Sequence, residues 1–283
     1  MKYAIVDGER REALKGLRGA CPICDAVLTP RCGRFRAAHW AHPPGVVDHH
    51  WEPETEWHRN WKALFPPECQ EVVHQAGDGK KHIADVKTAH GQVIELQNSP
   101  LAEEERCSRE EFYRPMCWIV NGQRLKDDRS QFFASLRLGK LASANPLTVL
   151  VPIERCMLLR KWADSHVLVL YDFGETEDEA DALRFGAPVL WASSPSREKG
   201  KAVLTPVFRS VFLEAMTNGQ PLIGMNFSKA FGQQPRLRPT QVVVSRPTGW
   251  KLRSRKFKRF GSRRGRGWSG SGMSARRRWK RWG

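Results

Sequence analysis

The chain of 283 residues has no long apolar run, and its last 38 positions hold no acidic residue. No stretch approaches the ~20 consecutive apolar residues that a transmembrane helix needs. Residues 1–8 also lack the apolar region of a secretory signal. Hydrophobic residues still make up 40% of the chain, so that it can bury a core. We therefore expect a folded cytoplasmic protein with no membrane partner.

Positive charge is concentrated in residues 246–283. The formal net charge is +17, but this segment holds 15 Lys and Arg residues, which leaves 32 basic and 30 acidic residues for the rest. Its Gly, Ser and Arg content, with interleaved aromatic residues, predicts a disordered tail that binds nucleic acid through phosphates and exposed bases. A solvated tail, or one that lies on an anionic membrane surface, is the alternative. The tail residues predicted to bind nucleic acid are Arg263, Arg264, Arg266, Trp268, Arg276, Arg277, Arg278, Trp279, Lys280, Arg281 and Trp282.

The rest of the chain divides into three segments. Residues 1–50 have the pattern of short strands and turns, and they carry Cys and His. Residues 51–122 alternate one helix, two strands, a second helix and a strand. Residues 123–245 form an α/β extension, whose predicted elements are helices at 130–141 and 208–217 and strands at 147–152, 166–173 and 188–192.

The segment IADVKTAHGQVIELQ contains two apolar, strand-like runs with an acid in each. If the loop between them has three residues and ends at Gly91, where a left-handed conformation is needed, Asp85 lies opposite Glu95. Period-two alternation then places Asp85, Glu95 and Gln97 on one face. Two opposed carboxylates repel each other unless a cation such as Mg²⁺ or Mn²⁺ lies between them. A two-residue loop would separate the acids, and solvated acids on a hairpin edge remain an alternative.

A second group of polar residues lies on the segment PETEWHRNWKALFPP. Pro53 suits the first position of a helix, so Glu54, His58 and Lys62 fall at i, i+4 and i+8 on one polar face. Glu54 would then lie in the first turn, where the helix dipole favours an acid that can reach a neighbouring metal. A routine amphipathic helix with a ladder of charges is the alternative.

The segment CPICDAVLTPRCGRFRAAHWAH has the ligand types of a zinc site. Cys21, Cys24, His39 and His42 could close a tetrahedral Zn²⁺ shell of two thiolates and two imidazoles. Cys32 could compete as a ligand. A short loop with free thiols is the alternative.

Together these motifs resemble the competence protein CoiA-like family, over roughly residues 1–122. The motifs that carry the resemblance, in chain order, are Cys21-Pro-x-Cys24, His39-Trp-Ala-His42, Glu54-Thr-x-x-His58-x-x-x-Lys62, Ala84-Asp85-Val86, Glu95-Leu-Gln97-Asn-Ser, Arg109-x-x-x-Tyr113 and Trp118-Ile119. That family is similar to the PD-(D/E)xK nuclease superfamily. The resemblance implies a restriction-endonuclease-like core in residues 51–122, with a mixed sheet flanked by helices behind a zinc-ribbon-like β module. It also implies Glu54, Asp85 and Glu95 as the acids that bind a catalytic Mg²⁺ or Mn²⁺.

One position departs from the superfamily pattern. Two residues after the second acid, where the superfamily usually has Lys, this chain has Gln97, which is neutral and cannot act as a general base. Activation of water would then depend on the metal, with His58 or Lys62 orienting the phosphate or assisting proton transfer. Arg109 and Tyr113, one helical turn apart, could contact the DNA backbone or form a structural pair.

The sequence therefore predicts a metal-dependent nuclease that acts on single- or double-stranded DNA, with recombination proteins as further partners. The alternative is a DNA-binding or recombination accessory protein without catalysis, in which the acids are structural and the tail binds DNA. Asp172, at the end of the strand HVLVLYDF, is not expected to belong to the site.

Overall fold

The computed structural model describes residues 1–33, 37–45, 54–75, 79, 81–174, 188–194, 198–222 and 224. They fall in one compact unit, Met1–Pro235, and their strands form two sheets. The first sheet has the order β2-β1-β3-β4-β5 and consists of β1 (Tyr3–Val6), β2 (Glu9–Glu12), β3 (Gly19–Ala20), β4 (Val27–Arg31) and β5 (His39–Ala41). All its neighbouring strands are antiparallel. The prediction of short strands and turns in this segment is confirmed.

The second sheet has nine strands among the described residues, in the order β10-β11-β14-β13-β12-β9-β8-β7-β6. They are β6 (Gln70–Gln75), β7 (Lys81–Lys87), β8 (Val93–Gln97), β9 (Met116–Asn121), β10 (Lys140–Ala144), β11 (Leu147–Pro152), β12 (Leu168–Asp172), β13 (Val189–Ser194) and β14 (Lys201–Phe208). β9 runs parallel to both β8 and β12, and the other neighbours are antiparallel. Because β9 pairs with β12, strands from 51–122 and from 123–245 share one sheet.

Helices pack on both faces of this sheet. The helices are α1 (Glu56–Lys62), α2 (Glu103–Phe112), α3 (Asp128–Arg137), α4 (Met157–Trp162) and α5 (Arg209–Asn218), and a 3₁₀ turn spans Pro67–Cys69. One apolar cluster joins β9 residue Trp118 to α3 and α4. The other cluster joins its neighbour Ile119 to Trp61 of α1 and Phe212 of α5. This alternation along a buried strand is the pattern of a sheet covered on both faces.

The predicted strands of the extension 123–245 are present, but one predicted helix differs, and the extension contains three elements that the sequence did not predict: α4, β10 and β14. β11 has the predicted bounds, and α5 ends where Asn218 and Gly219 predict, with Gly219 in the left-handed conformation at φ 64°. The predicted helix at 130–141 is wrong at its end: α3 stops at Arg137, and β10 begins at Lys140. A β-carbon at Gly139 would lie 2.5 Å from a methyl carbon of Val149, so glycine permits the close approach of the two chain segments here.

A strand was also missed. Residues 51–122 contain three strands before α2 rather than two, because β6 (Gln70–Gln75) pairs antiparallel with β7. Of the described helices, none is long and apolar enough to span a membrane.

Candidate metal centres

Three of the predicted zinc ligands lie together at one end of the first sheet. Cys21 follows β3 and His42 follows β5, and their ligand atoms and that of Cys24 all lie within 4.8 Å of one another. Cys24 Sγ is 3.6 Å from His42 Nε2, close to the ~3.6 Å that tetrahedral Zn–S and Zn–N bonds of normal length would impose. The cluster can therefore hold a metal such as zinc.

The turn around Cys21 is arranged as in a thiolate site. The backbone N–H of Ile23 donates to Cys21 Sγ at 3.4 Å, and the N–H of Asp25 donates to the Cys21 carbonyl oxygen at 3.0 Å. Burial raises the pKa of the Cys21 thiol. A bound metal cation would favour the thiolate form of such a buried thiol.

The fourth predicted zinc ligand, His39, lies outside this group of three. Its Nδ1 donates to the carbonyl oxygen of Ala37 at 3.0 Å. Because Nδ1 carries the proton in that bond, Nε2 is the nitrogen that keeps a lone pair for a metal. Cys32, the competing candidate, donates its S–H to the carbonyl oxygen of Ala13 at 3.6 Å.

The hairpin β7–β8 has the predicted register. Val86 pairs with Ile94, and the N–H of Thr88 donates to the Gln92 carbonyl oxygen at 2.9 Å. Gly91 ends the three-residue loop with φ 82°, the left-handed conformation that glycine adopts without strain. The next pair toward the open end of the hairpin is Asp85 and Glu95.

The face on which Asp85 lies differs from the prediction. Ala84 packs in the apolar cluster that contains Trp118, whereas Val86 packs in the cluster that contains Ile119, on the other face of the sheet. Strict alternation would put Ala84 and Val86 on one face. The β6–β7 pairing joins Val72 to Ala84 but omits Glu71 and Asp85, and Glu71 has a left-handed φ of 46°. This local irregularity, which resembles a β-bulge, turns Asp85 toward α1.

The two acids are consequently held by helices on opposite faces of the sheet. Asp85 Oδ1 lies 3.2 Å from Lys62 Nζ of α1, and Glu95 Oε2 lies 2.9 Å from Arg109 Nη1 of α2. They meet between the strands: the N–H of Asp85 donates to Glu95 Oε1 at 3.3 Å, and the N–H of Leu96 donates to Asp85 Oδ2 at 3.0 Å. The carboxylates thus replace the backbone hydrogen bonds that would otherwise continue the ladder.

The surroundings of Glu95 favour its neutral, protonated form, because they raise its pKa. Burial and then the carboxylate of Asp85 raise the pKa of Glu95 to about 8, although Arg109 opposes the shift. The side chain of Asp85 is 24% exposed while that of Glu95 is 2% exposed. Asp85 is therefore the carboxylate that solvent and solutes can reach, and a bound cation would relieve the repulsion.

Lys62 lies among three carboxylates. Its Nζ is 3.1 Å from Glu54 Oε1, 2.9 Å from Glu71 Oε1 and 3.2 Å from Asp85 Oδ1. Burial alone would lower the pKa of Lys62, but Glu71, Asp85 and Glu54 raise it well above its usual value. Lys62 is therefore a fixed cation, and in this arrangement it cannot act as a general base.

The charged side chains around the pair are linked to one another by ion pairs. Among the described residues, this set joins five carboxylates to three cationic side chains, so it carries two more negative than positive charges when all are ionised. The set consists of Glu54, Glu71, Asp85, Glu95 and Glu105 with Arg59, Lys62 and Arg109. In addition, Glu54 Oε1 is buried and, within the described part of the chain, has no hydrogen-bond partner. It lies 3.1 Å from Lys62 Nζ, an ion pair without hydrogen-bond geometry.

The position of Glu54 on its helix differs from the prediction. α1 begins at Glu56 with Thr55 as N-cap, so Glu54 precedes the helix rather than lying in its first turn. Threonine is a preferred N-cap because its hydroxyl can satisfy backbone groups at the helix start. Pro53, which suggested an earlier start, lies outside the described residues.

His58 joins α1 to β8. Its Nδ1 accepts the backbone N–H of Thr55 at 3.2 Å, and its Nε2 donates to the carbonyl oxygen of Leu96 at 3.2 Å. These bonds assign the neutral tautomer with the proton on Nε2, and burial lowers the pKa of His58. Both nitrogens have partners within the chain, so His58 orients the strand that carries Glu95.

Three further predicted residues lie near the pair. Gln97 Nε2 donates to the carbonyl oxygen of Ser99 at 3.0 Å. Arg109 contacts Glu105 at 2.8 Å as well as Glu95. Tyr113 is 1% exposed and packs edge-on against neighbouring aromatic rings, which favours its structural alternative.

Glu71 belongs to the site and was not found from the sequence, whereas Asp172 lies outside the site, as expected. Glu71 follows the segment PPEC and has no motif around it, so the sequence carried no signal for it. Asp172 accepts indole N–H bonds from Trp57 and Trp61 at 2.9 and 2.7 Å, both on Oδ2. The carboxylate of Asp172 therefore anchors α1 and does not enter the site.

The predicted nucleic-acid residues of the tail, from Arg263 to Trp282, lie outside the described residues. Comparison with known proteins gives no relatives: no family model matches the chain, and neither the curated proteins nor the solved structures contain a match.

Proposed function

We propose that this chain is a divalent-metal-dependent deoxyribonuclease. The observation that carries the proposal is the meeting of Asp85 and Glu95 between two neighbouring strands, with the N–H of Asp85 3.3 Å from Glu95 Oε1. Paired acids whose charge exceeds that of the surrounding cations are the usual means of binding Mg²⁺ or Mn²⁺ in enzymes that cleave phosphodiesters.

The arrangement of elements supports a restriction-endonuclease-like core. In chain order, α1 is followed by the antiparallel strands β6, β7 and β8, then by α2, and then by β9, which runs parallel to β8. The hairpin β7–β8 presents the two acids, as the resemblance to the CoiA-like family implies.

The roles of the side chains follow from their contacts. Asp85 and Glu95 would hold the ion, with Glu54 beside them, and the bound ion would lower the pKa of a water and stabilise charge on the phosphodiester oxygens. Lys62 fixes Asp85 and Glu54 in place. Arg109, whose side chain is 18% exposed, could contact a DNA phosphate, and so could Arg59, whose side chain is 26% exposed. Gln97 can orient a water or a phosphate but cannot remove a proton.

We also propose that Cys21, Cys24, His39 and His42 bind one structural Zn²⁺, with the ligand nitrogen of His39 being Nε2. Two thiolates and two imidazoles close a tetrahedral shell and leave no position for a reacting water. The tail, residues 246–283, would supply sequence-independent affinity for DNA through its 15 Lys and Arg residues.

A second candidate, a non-catalytic DNA-binding accessory protein, is favoured by one observation. Each of the two acids already has a cationic partner within the chain, Lys62 for Asp85 and Arg109 for Glu95. Two acids whose charges are neutralised by cations of the same chain can stabilise the fold without binding a metal.

Cleavage assays with carboxylate-to-amide variants decide between the two candidates. Purified protein is incubated with linear and circular, single- and double-stranded DNA, with and without Mg²⁺ or Mn²⁺.

Asp85→Asn and Glu95→Gln preserve side-chain size and remove charge from the metal ligands, so cleavage should fall by about 10²-fold or more while DNA binding persists. Glu104→Gln, an exposed acid on α2, is the matched control and should cleave as the wild type does. Equal cleavage by Asp85→Asn contradicts the assigned site, and a wild type that cleaves no DNA under any metal supports the accessory protein.

Removal of the tail tests the DNA-binding role separately. A chain that ends at Ser245 should keep its fold, bind DNA more weakly and show a smaller dependence of affinity on salt, because fewer phosphates are neutralised. Unchanged affinity and salt dependence would place DNA binding elsewhere.

A further inference from the structure

Glu71 is a buried carboxylate that links the first sheet to the carboxylate pair. Both of its oxygens accept the backbone N–H of Lys2 at 2.8 Å, and Oε2 also accepts the N–H of Tyr3 at 3.1 Å. Its Oε1 accepts a hydrogen bond from Lys62 Nζ at 2.9 Å. One side chain thus bonds to the start of β1 and to the cation that contacts Asp85.

The backbone of Glu71 is held in an unfavourable conformation. Its φ of 46° is left-handed, a region that costs a residue with a β-carbon on the order of 1 kcal/mol or more. Glu71 is also the position where the β6–β7 ladder omits a pair, directly beside Asp85. Backbone strain persists where the surrounding contacts determine the conformation, and here those contacts come from β1 and Lys62.

A second contact between the sheets adjoins Glu71. The preceding residue, Gln70, makes two hydrogen bonds to the first sheet. Lys2 Nζ donates to Gln70 Oε1 at 2.9 Å, and Arg10 Nη2 donates to the Gln70 carbonyl oxygen at 2.5 Å. β1 itself packs in the same apolar cluster as Cys21, through Ala4. The sheet that carries the Cys/His cluster is therefore fixed to the strand that carries Glu71.

The charge of Lys62 is shared between Glu54, Glu71 and Asp85 at similar distances. If the charge on Glu71 is removed, the same cation is shared by two carboxylates instead of three. Lys62 then pairs more strongly with Asp85 and competes with a divalent ion for that carboxylate.

We propose that Glu71 is a positioning residue that draws Lys62 away from Asp85 and so leaves Asp85 able to bind a divalent metal. This rests on the proposed function, because it assumes that Asp85 is a metal ligand. Since β1 fixes Glu71, the first sheet takes part in setting the affinity of the site for its metal.

The test is a double-mutant cycle on Mn²⁺ binding, measured by calorimetry with the full chain in its zinc-loaded form. Glu71→Gln should weaken Mn²⁺ binding about tenfold. Lys62→Met should bind Mn²⁺ at least as tightly as the wild type, because the competing cation is gone. The double variant should return to within about threefold of Lys62→Met, since Glu71 acts through Lys62. Glu68→Gln, an exposed acid three residues earlier, is the matched control and should bind as the wild type does.

The possible outcomes separate this proposal from the proposed function. The role of Glu71 is overturned if Glu71→Gln binds Mn²⁺ as tightly as the wild type does. It is also overturned if the double variant binds Mn²⁺ as weakly as Glu71→Gln alone. In both cases the loss of Mn²⁺ binding in Asp85→Asn still tests whether Asp85 is a metal ligand. A wild type that binds no Mn²⁺ overturns both. If Glu71→Gln does not fold, Glu71→Asp replaces it: this variant keeps the charge but shortens its reach to Lys62. Weaker Mn²⁺ binding with normal zinc content then supports the proposal, and unchanged binding overturns it.

Discussion

The two candidate metal centres differ in what holds their ligands together. The Cys/His cluster consists of ligands from turns after very short strands, β3 having two residues and β5 three. The carboxylate pair lies inside a nine-stranded sheet, and each acid is bonded to a cation on a helix. If the first centre binds zinc as proposed, the metal would fix its geometry, whereas ion pairs within the chain hold the geometry of the second centre. We therefore expect metal loss to damage the fold at the first centre and only the chemistry at the second.

The largest expected effect is the loss of zinc from the first centre. Cys24→Ser should reduce the zinc content from about one per chain to near zero and unfold residues 1–45, because a structural zinc supplies folding free energy directly. Metal analysis and the near-ultraviolet circular dichroism of Trp40, which is buried in this sheet, measure the two effects. Cys24 is exposed, so the substitution leaves no cavity that could explain unfolding.

Cys32→Ser is the matched control for this prediction. Cys32 is also exposed, and it bonds to the Ala13 carbonyl oxygen rather than to the cluster. It should keep its zinc. If Cys32→Ser loses zinc while Cys24→Ser retains it, the ligand set has been assigned to the wrong cysteine.

The next effect concerns the contact between the two regions. Burial would raise the pKa of Glu71, but Lys62, the N-terminal ammonium group and the backbone N–H of Lys2 lower it to about 2. A carboxyl group whose pKa is lower in the folded than in the unfolded state stabilises the protein at pH values above its unfolded pKa, near 4.5. This contribution is lost as the pH falls toward 2. Glu71→Gln should therefore cost about 3 kcal/mol of unfolding free energy at pH 7.

Urea unfolding of the wild type and Glu71→Gln at several pH values measures this contribution. The difference between them should shrink as pH falls from 4.5 toward 2, because the unfolded chain then takes up a proton at Glu71 while the folded protein keeps this carboxylate ionised. A difference that stays constant over this range would mean that the charge of Glu71 does not stabilise the contact.

A smaller effect is expected from metal binding at the second centre. With zinc kept in place, removal of Mn²⁺ should leave residues 54–222 folded, whereas Mn²⁺ at 100 times its Kd should stabilise the wild type by about 2.7 kcal/mol. Thermal unfolding in the presence and absence of Mn²⁺ gives this shift. Asp85→Asn should show little of it. A zinc-loaded protein whose residues 54–222 unfold when Mn²⁺ is removed would remove the difference between the two centres.

The sequence was informative where local geometry decides the outcome. Gly91 set the loop length and hence the register that brings Asp85 beside Glu95, and Asn218-Gly219 set the end of α5. The two cysteines and His42 were found because their spacing reflects ligand chemistry. In each case the residues that decide the structure are neighbours in the chain, or are recognised by their chemical type.

The sequence was uninformative where contacts between distant residues decide the outcome. Asp85 turns toward α1 where alternation breaks beside Glu71, and the side chain of Glu71 is bonded to Lys2, which is 69 residues away. The end of the predicted helix at 130–141 was decided by the packing of Gly139 against Val149. The cationic partners of the two acids, Lys62 and Arg109, were recognised as polar residues, but their pairing depends on how two helices pack on opposite faces.

The smallest expected effect is that of Gln97, and it sharpens the account of the second centre. Gln97 is 4% exposed, and its Nε2 donates to Ser99 at the end of β8. Its amide is neutral, so Gln97→Ala removes an orienting group and a local hydrogen bond but no metal ligand. We expect Mn²⁺ affinity to stay within about twofold of the wild type and the cleavage rate to fall only several-fold, equivalent to about 1 kcal/mol. Gln97→Lys introduces the residue that the superfamily usually has here, and faster cleavage by this variant would show that the site lacks a cation at this position. If Gln97→Ala instead loses Mn²⁺ binding as completely as Asp85→Asn, the amide oxygen of Gln97 is a metal ligand, and β8 supplies two ligands, Glu95 and Gln97.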